Sequence, residues 1–174
     1  MTVKPRRIIG LDPGTIRTGY GIVDYARSRI VHVDNGLASA PKSKVLAERL
    51  HMIYSHLHTI LTEFRPDVAV VENVFFHKNV KAALSLGHAR GVILAVAAAH
   101  GIPIVEYSAT HIKKTVTGRG RADKYQVQMM VKTLLGLPEV AAEDASDALA
   151  MAICHCHHGT ENFNLDSLTS RPSS

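Results

Sequence analysis

The hydrophobic positions in the first part of the chain change their period, which predicts three strands followed by a helix. Apolar runs at 6–11, 20–24 and 30–33 are short and rich in Ile and Val. We therefore expect three strands that are joined by short links in an antiparallel meander. After a break at 41–43, apolar residues recur every three or four positions from 46 to 64, as in an amphipathic helix that packs on a sheet.

The rest of the chain alternates between strands and helices. Continuous apolar runs at 68–71 and 102–105 are typical of strands that are buried on both faces. The alanine-rich residues 79–100 predict a long helix, and two further helices are expected at 123–135 and 143–157. This order of elements predicts an α/β fold with a mixed five-stranded sheet and helices on both faces.

Length and composition favour one domain. The 174 residues are 46% hydrophobic and 20% charged, which excludes a disordered chain and favours a domain at 1–158 with a flexible polar tail at 159–174. No apolar run has the length of a membrane span or the character of a signal-peptide core, so we expect no membrane association and a cytoplasmic location. Cys154 and Cys156 are two positions apart on a predicted helix, so they should not bridge each other, and a reducing compartment is expected.

Positive charge is concentrated in one segment. The chain has a net charge of +5, and residues 111–132 include six basic residues and one acid, Asp123. Such a local excess indicates a surface for a polyanion, most often nucleic acid, although a solvated helix face has a similar composition. The basic residues are Lys113, Lys114, Arg119, Arg121, Lys124 and Lys132.

Four carboxylates stand where a catalytic site can form. Asp12 and Glu72 each end a predicted strand, and ligands of α/β sheets bind beyond the carboxyl ends of the strands. Asp144 and Asp147 are three positions apart, so they share one face of the last helix. Each acid taken alone also has an ordinary structural explanation: Asp12 in a turn, Glu72 as a charge at the rim of the sheet, and the other two as charges at a helix N-terminus. If that helix crosses the strand ends, all four meet, and their repulsion favours hard cations such as Mg²⁺ or Mn²⁺, which serve phosphodiester hydrolysis in pairs.

Aromatic and small residues suggest two contact surfaces. Phe75 and Phe76 follow a buried strand in a segment that becomes polar at 77–79, so they could stack on unpaired bases, with burial under a loop as an equal alternative. Gly87 and Gly91 are one turn apart on the alanine-rich helix. They would allow close approach of another backbone, either in a dimer or in the chain's own sheet.

Five motifs in this order resemble the RuvC family of crossover junction endodeoxyribonucleases. The resemblance runs from about residue 8 to residue 157, which is nearly the whole chain. Any one motif is weak, but the series is specific. The motifs are IGLDPGT at 9–15 with TGYG at 18–21, VENVF at 71–75, LGHARGV at 86–92, KKTVTG at 113–118 and DASDALA at 144–150.

The resemblance implies a ribonuclease H-like fold and a homodimer that resolves Holliday junctions in recombination and DNA repair. Paired nicks in strands of like polarity would leave 5′-phosphate and 3′-hydroxyl ends. The implied cofactor is Mg²⁺, two ions per site with Mn²⁺ able to substitute, and the implied partner is the RuvA–RuvB branch-migration complex. The implied catalytic and metal-binding residues are Asp12, Glu72, Asp144 and Asp147, and the expected DNA contacts are Phe75, Lys78, Lys113, Lys114, Arg119, Arg121 and Lys124.

Other functions and one other metal site are also considered. A non-catalytic junction-binding module and a related ribonuclease H-like nuclease that acts on RNA remain compatible with the residues. The run of Cys and His at 154–158 lacks the spacing of a zinc finger, and imidazoles at a helix C-terminus have an ordinary role with the helix dipole. We therefore do not expect structural zinc in this run.

Overall fold

The computed structural model describes residues 4–73 and 79–158, which form five helices around one five-stranded sheet. In chain order the elements are β1 (Arg6–Asp12), β2 (Arg17–Ala26), β3 (Arg29–Ser39), α1 (Leu46–Phe64), β4 (Val68–Asn73), α2 (Val80–Ala99), β5 (Ile104–Ser108), α3 (Ala109–Thr117), α4 (Lys124–Leu135) and α5 (Glu143–His158). The sheet order is β3-β2-β1-β4-β5. The pairs β1–β2 and β2–β3 are antiparallel, whereas β1–β4 and β4–β5 are parallel. The predicted mixed sheet is therefore confirmed.

Helices cover both faces of the sheet, because side chains alternate along each strand. Ile9 and Leu11 of β1 point into a core with residues of α1 and α2. Ile8 of β1 points the opposite way, into a core that is shared with α3, α4 and α5. The same alternation in β4 sends Val70 to the α5 side and Val71 to the α1 side. The expectation of helices on both faces is confirmed.

Glycines allow α5 to lie directly on β1 and β2. A Cβ atom at Gly10 would stand 1.8 Å from the backbone oxygen of Ala148, and one at Gly19 would stand 2.0 Å from the backbone oxygen of Asp144. Real Cβ atoms do not approach other atoms so closely, so only glycine fits at either position. The first turns of α5 are consequently held above the end of β1.

The segment between β5 and α4 differs from the sequence prediction, which assigned no helix there. Ser108 caps α3, since its side chain accepts a hydrogen bond from the backbone N–H of His111 at 3.2 Å, and Gly118 ends the helix in a left-handed conformation (φ 75°). Only Ile112 and Val116 of this nine-residue helix are buried. A single buried pair four positions apart is too weak a periodic signal to predict a helix.

Strand β5 begins two residues later than predicted, because the backbone at 102–103 forms hydrogen bonds with the end of α2 and with the neighbouring strand β4. The backbone N–H of Ile102 donates to the carbonyl oxygen of Ala97 at 3.0 Å. Pro103 has no N–H, and its carbonyl oxygen accepts from Ala69 at 2.9 Å. Ladder pairing with β4 therefore starts at Ile104.

The helix α2 has a buried face and an exposed face. By length and composition alone it could cross a membrane, a feature that the sequence analysis did not identify, although core helices of globular proteins meet the same criteria. Leu84 on the outer face is 61% exposed, and no atom of the described chain would lie within 4 Å of a Cβ at Gly87 or Gly91. Of the two interpretations of these glycines, tight packing in the chain's own sheet is therefore wrong.

Candidate active site

Two of the four predicted carboxylates are brought together by strand register. Leu11 of β1 pairs with Val71 of β4 in parallel, so the next residues, Asp12 and Glu72, are neighbours at the same edge of the sheet. Both residues continue the alternation that points toward the α5 face. Both are partly buried.

The helix α5 contributes the other two carboxylates. Asp144 and Asp147 lie in its first turns, and both are partly buried. Together with Asp12 and Glu72 they line one cleft of about 430 Å³. Residues of α3 and α4, including Lys113 and Lys124, form its other wall. The structure thus places the four acids in one site, as the sequence analysis expected if this helix crossed the strand ends.

The electrostatics of the cleft favour a bound cation. Burial, followed by the charges of Asp147, Asp144 and Glu72, raises the pKa of Asp12 to about 7, although Lys124 acts in the opposite direction. Burial likewise raises the pKa of Asp147 above its ordinary value. Among the described residues, Lys124 therefore offsets only part of the effect that burial and the neighbouring acids have on Asp12. A site of carboxylate oxygens with excess negative charge fits a hard divalent cation such as Mg²⁺ or Mn²⁺.

The raised pKa of Asp12 predicts a pH dependence of stability. In the metal-free protein the folded state holds the Asp12 proton up to about pH 7, whereas the unfolded chain loses it near 3.8. The free energy of unfolding should therefore fall as pH rises through this window, by up to about 4 kcal/mol. Urea unfolding of chelated protein at pH 5 and pH 8 measures the part of this change that falls between those two values, about 2.7 kcal/mol. Asp12→Asn should flatten the dependence, and an equal slope in this variant would contradict the assignment.

The predicted basic residues occupy two kinds of position. Lys113 and Lys124 line the acidic cleft, and the Lys124 ammonium forms an ion pair with Glu143 at the start of α5. The hydrogen bond within this ion pair raises the pKa of Lys124 and lowers the pKa of Glu143. Three further basic residues are exposed on α3 or in the following loop and do not line the cleft, namely Lys114, Arg119 and Arg121. The predicted contacts Phe75 and Lys78 lie outside the described residues.

The sequence analysis missed a cation beside Asp144. The Arg17 guanidinium lies 3.5 Å from the carboxylate of Asp144. Arg17 and Lys42 line a shallow groove that also includes Asp144 and therefore adjoins the acidic cleft. The signal that could have identified Arg17 is its position between the motifs at 9–15 and 18–21. Basic side chains thus flank the carboxylates on two sides.

Comparisons with known proteins agree with this geometry. The family model described as crossover junction endodeoxyribonuclease RuvC matches residues 8–155. Proteins with this description from Citrifermentans bemidjiense and Geobacter sulfurreducens are 51% and 48% identical to the chain, over 86% and 93% of its length and 92% and 99% of theirs. A structure of Thermus thermophilus RuvC in complex with a Holliday junction substrate superposes with a TM-score of 0.82 at 29% identity, covering 88% of this chain and 94% of that one.

These matches confirm the predicted ribonuclease H-like fold class, the endonuclease assignment and the family. The family model spans far more than half of the chain, and the relatives are covered almost completely. The chain therefore belongs to the RuvC family of crossover junction endodeoxyribonucleases.

Proposed function

We propose that this protein resolves Holliday junctions by paired, symmetric nicks in two strands of like polarity. The observation that carries the proposal is the convergence of Asp12, Glu72, Asp144 and Asp147 in one cleft with basic residues on both sides. The related Thermus protein, whose fold matches, was captured with a Holliday junction. Hydrolysis with 3′-hydroxyl as the leaving group would produce ligatable ends, as recombination and repair require.

The four carboxylates would hold the divalent metal on which the reaction depends. We propose Mg²⁺, with two ions per site and Mn²⁺ as a substitute, because the donor set consists of oxygen and the local charge is strongly negative. Such ions supply an activated water and charge stabilisation at the leaving oxygen. Asp12 is central to the proposed metal site, since the charges of the other three acids all raise its pKa.

The basic residues position the DNA backbone. Lys113 and Lys124 in the cleft wall are placed to bind oxygens of the scissile phosphate, and Arg17 with Lys42 extends the positive surface beyond Asp144. Lys114, Arg119 and Arg121 provide further exposed charge along the approach. Such phosphate contacts fix the position of the protein along the DNA, and they do not distinguish one base sequence from another. The roles of Phe75, in stacking on unpaired bases, and of Lys78 rest on the family resemblance.

A substrate comparison tests the proposed function. The protein is incubated with a synthetic four-way junction, a linear duplex of the same sequence and a structured RNA, each with Mg²⁺ or with chelator. Symmetric metal-dependent nicks on the junction alone support the proposal. Junction binding without nicks would indicate a binding module, and cleavage of the RNA would indicate the related RNA nuclease. Binding affinity for the junction should fall steeply with salt, since phosphate neutralisation releases counterions.

We propose that a second copy of the chain covers the exposed face of α2. This face is formed by Leu84, Gly87, Gly91, Ala95 and Ala98, all of which are exposed. Small residues at helical spacing permit close approach of a partner helix. A C2 dimer would present two equivalent sites to a junction of two-fold symmetry, which paired cleavage requires.

The dimer proposal predicts that Leu84→Glu produces a monomer. A charge buried within the interface is unfavourable, so sedimentation should show the mass of one chain, and a supercoiled cruciform substrate should accumulate single nicks instead of paired cuts. Val45→Glu, at a position that is 66% exposed before α1, is the matched control and should leave the mass unchanged. A dimeric Leu84→Glu protein would place the interface elsewhere. By family resemblance, we also propose that the dimer acts with the RuvA–RuvB complex.

A further inference from the structure

A cluster of sulfur and imidazole groups lies away from the four carboxylates. His111, Cys154 and His158 each direct one donor atom into a space in which these atoms are within 4.8 Å of one another. We call these three residues the Cys–His cluster. Cys154 is fully buried, and the two histidines are partly buried. The proposed nuclease reaction does not use these residues.

Two packed helices create the cluster. Cys154 and His158 are four positions apart on α5, so they lie on the same face one turn apart. His111 is in the first turn of α3, which packs against α5. Cys156 is only two positions from Cys154 and therefore points about 200° away around the helix. The run 154–158 alone did not predict a metal site because the third donor is more than forty residues away in the chain.

A hydrogen bond orients the ring of His158. Its Nε2 atom lies 3.0 Å from the hydroxyl oxygen of Thr115, so Nδ1 would be the metal ligand if this hydrogen bond is kept. The ring of His111 stacks on Tyr107 with centroids 5.4 Å apart. His155 instead pairs its Nδ1 atom with the hydroxyl of Tyr107 at 2.9 Å. A purely packed aromatic cluster is the competing explanation.

We propose that the Cys–His cluster binds one divalent ion, such as Zn²⁺ or Co²⁺, which links α3 to α5. One thiolate and two imidazoles are the ligands that Zn²⁺ and Co²⁺ favour, and metal–sulfur and metal–nitrogen lengths of about 2.3 and 2.0 Å place the donors of one tetrahedral ion roughly 3.5 Å apart. The three donors now lie within 4.8 Å of one another, and small side-chain rotations would bring them to that spacing. Because both histidines are partly exposed, water can occupy the fourth position.

This site is separate from the acidic cleft in position and in chemistry. Cys154 follows Asp147 by seven residues on α5, which is about 10 Å along the helix axis. The acidic cleft offers oxygen donors, which Mg²⁺ prefers, whereas a thiolate and imidazoles select softer ions. The two sites share α3, whose Lys113 lines the acidic cleft. An ion in the Cys–His cluster would therefore fix the helix that carries this lysine.

Cobalt titration tests the proposal. The full-length protein, saturated with Mg²⁺ to occupy the oxygen site, is titrated with Co²⁺ and monitored for a thiolate-to-cobalt charge-transfer band and for the intense visible bands of tetrahedral cobalt. We expect both signals to saturate at one ion per chain and to disappear when Zn²⁺ is added. Zn²⁺ should also raise the thermal unfolding midpoint.

Matched variants assign the ligands. Cys154→Ser should remove the charge-transfer band, whereas Cys156→Ser, another buried cysteine on the same helix, should retain it. His111→Asn, on the partly exposed surface, should weaken cobalt affinity by more than about 100-fold even if Cys154→Ser fails to fold, whereas the exposed His157→Asn should not. A band that appears only in large cobalt excess, or that persists in Cys154→Ser, would overturn the proposal. Junction cleavage in Mg²⁺ tests the nuclease function independently.

Discussion

Asp12→Asn is expected to reduce junction cleavage by about 10³-fold or more while leaving junction binding within about twofold. The substitution removes one anionic oxygen at the position where the other three acids converge, so the proposed metal binding in the cleft should be lost. The basic residues that we propose as DNA contacts are unchanged. Cleavage is measured on a labelled four-way junction in Mg²⁺, and binding is measured by gel shift in chelator.

The matched control is Glu139→Gln, which removes a carboxylate from an exposed loop that does not line the cleft. This variant should cleave as the parent protein does. The Asp12→Asn protein should also be more stable than the parent at pH 8 without metal, because it removes the buried charge and the repulsion that together raise the Asp12 pKa. Loss of junction binding, or cleavage near the rate of the parent protein, would contradict the assignment of Asp12 to the catalytic site.

Gly19→Ala is expected to reduce both activity and stability, because the added methyl group would stand 2.0 Å from the backbone oxygen of Asp144. Gly19 pairs with Asp12 across the β1–β2 ladder, so the clash falls where two acids of the site must meet. Backbone cannot rotate away as a side chain can, so α5 must shift by about 1 Å or more. Such a displacement of catalytic groups costs roughly 100-fold in rate, and overpacking costs about 1–3 kcal/mol or more in stability.

Gly120→Ala provides the control for an added methyl group. A Cβ there would meet a methyl carbon of the Thr110 side chain at 3.0 Å, which can move. Its unfolding midpoint should stay near that of the parent, whereas Gly19→Ala should unfold at lower urea concentration. If Gly19→Ala cleaves and melts as the parent does, the close contact between α5 and β2 is wrong.

The local hydrophobic pattern was sufficient to predict the bounds of elements whose buried residues recur at a regular spacing. The helix α1 begins and ends at Leu46 and Phe64, the first and last residues of the predicted apolar repeat, because its buried residues Ile53, Leu57 and Leu61 recur at four-residue spacing. The strand β3 was predicted at 30–33 but runs from Arg29 to Ser39, since its polar half pairs through the backbone with β2. Periodicity reports burial of side chains, and it does not report backbone pairing at a sheet edge.

Contacts between distant segments are where prediction from the residues failed. The position of Arg17 between two motifs could have drawn attention to it, but its ion pair with Asp144, 127 positions away, follows no spacing rule. The same holds for His111, whose partners Cys154 and His158 become neighbours only when α3 packs on α5. In both cases the chemistry depends on which surfaces the helices present to each other.

The sequence by itself determined the order of the elements other than α3, the mixed sheet, the family and the identities of the four carboxylates, because these depend on local periodicity and on motifs. Only the tertiary structure decided that the backbone of α5 contacts Gly10 and Gly19 and so carries Asp144 and Asp147 to the cleft that Asp12 and Glu72 line. It also decided that the Cys–His cluster exists. The physical reason is that repulsion, burial and metal-ligand geometry depend on distances through space, and these are fixed by packing of whole elements rather than by neighbours in the chain.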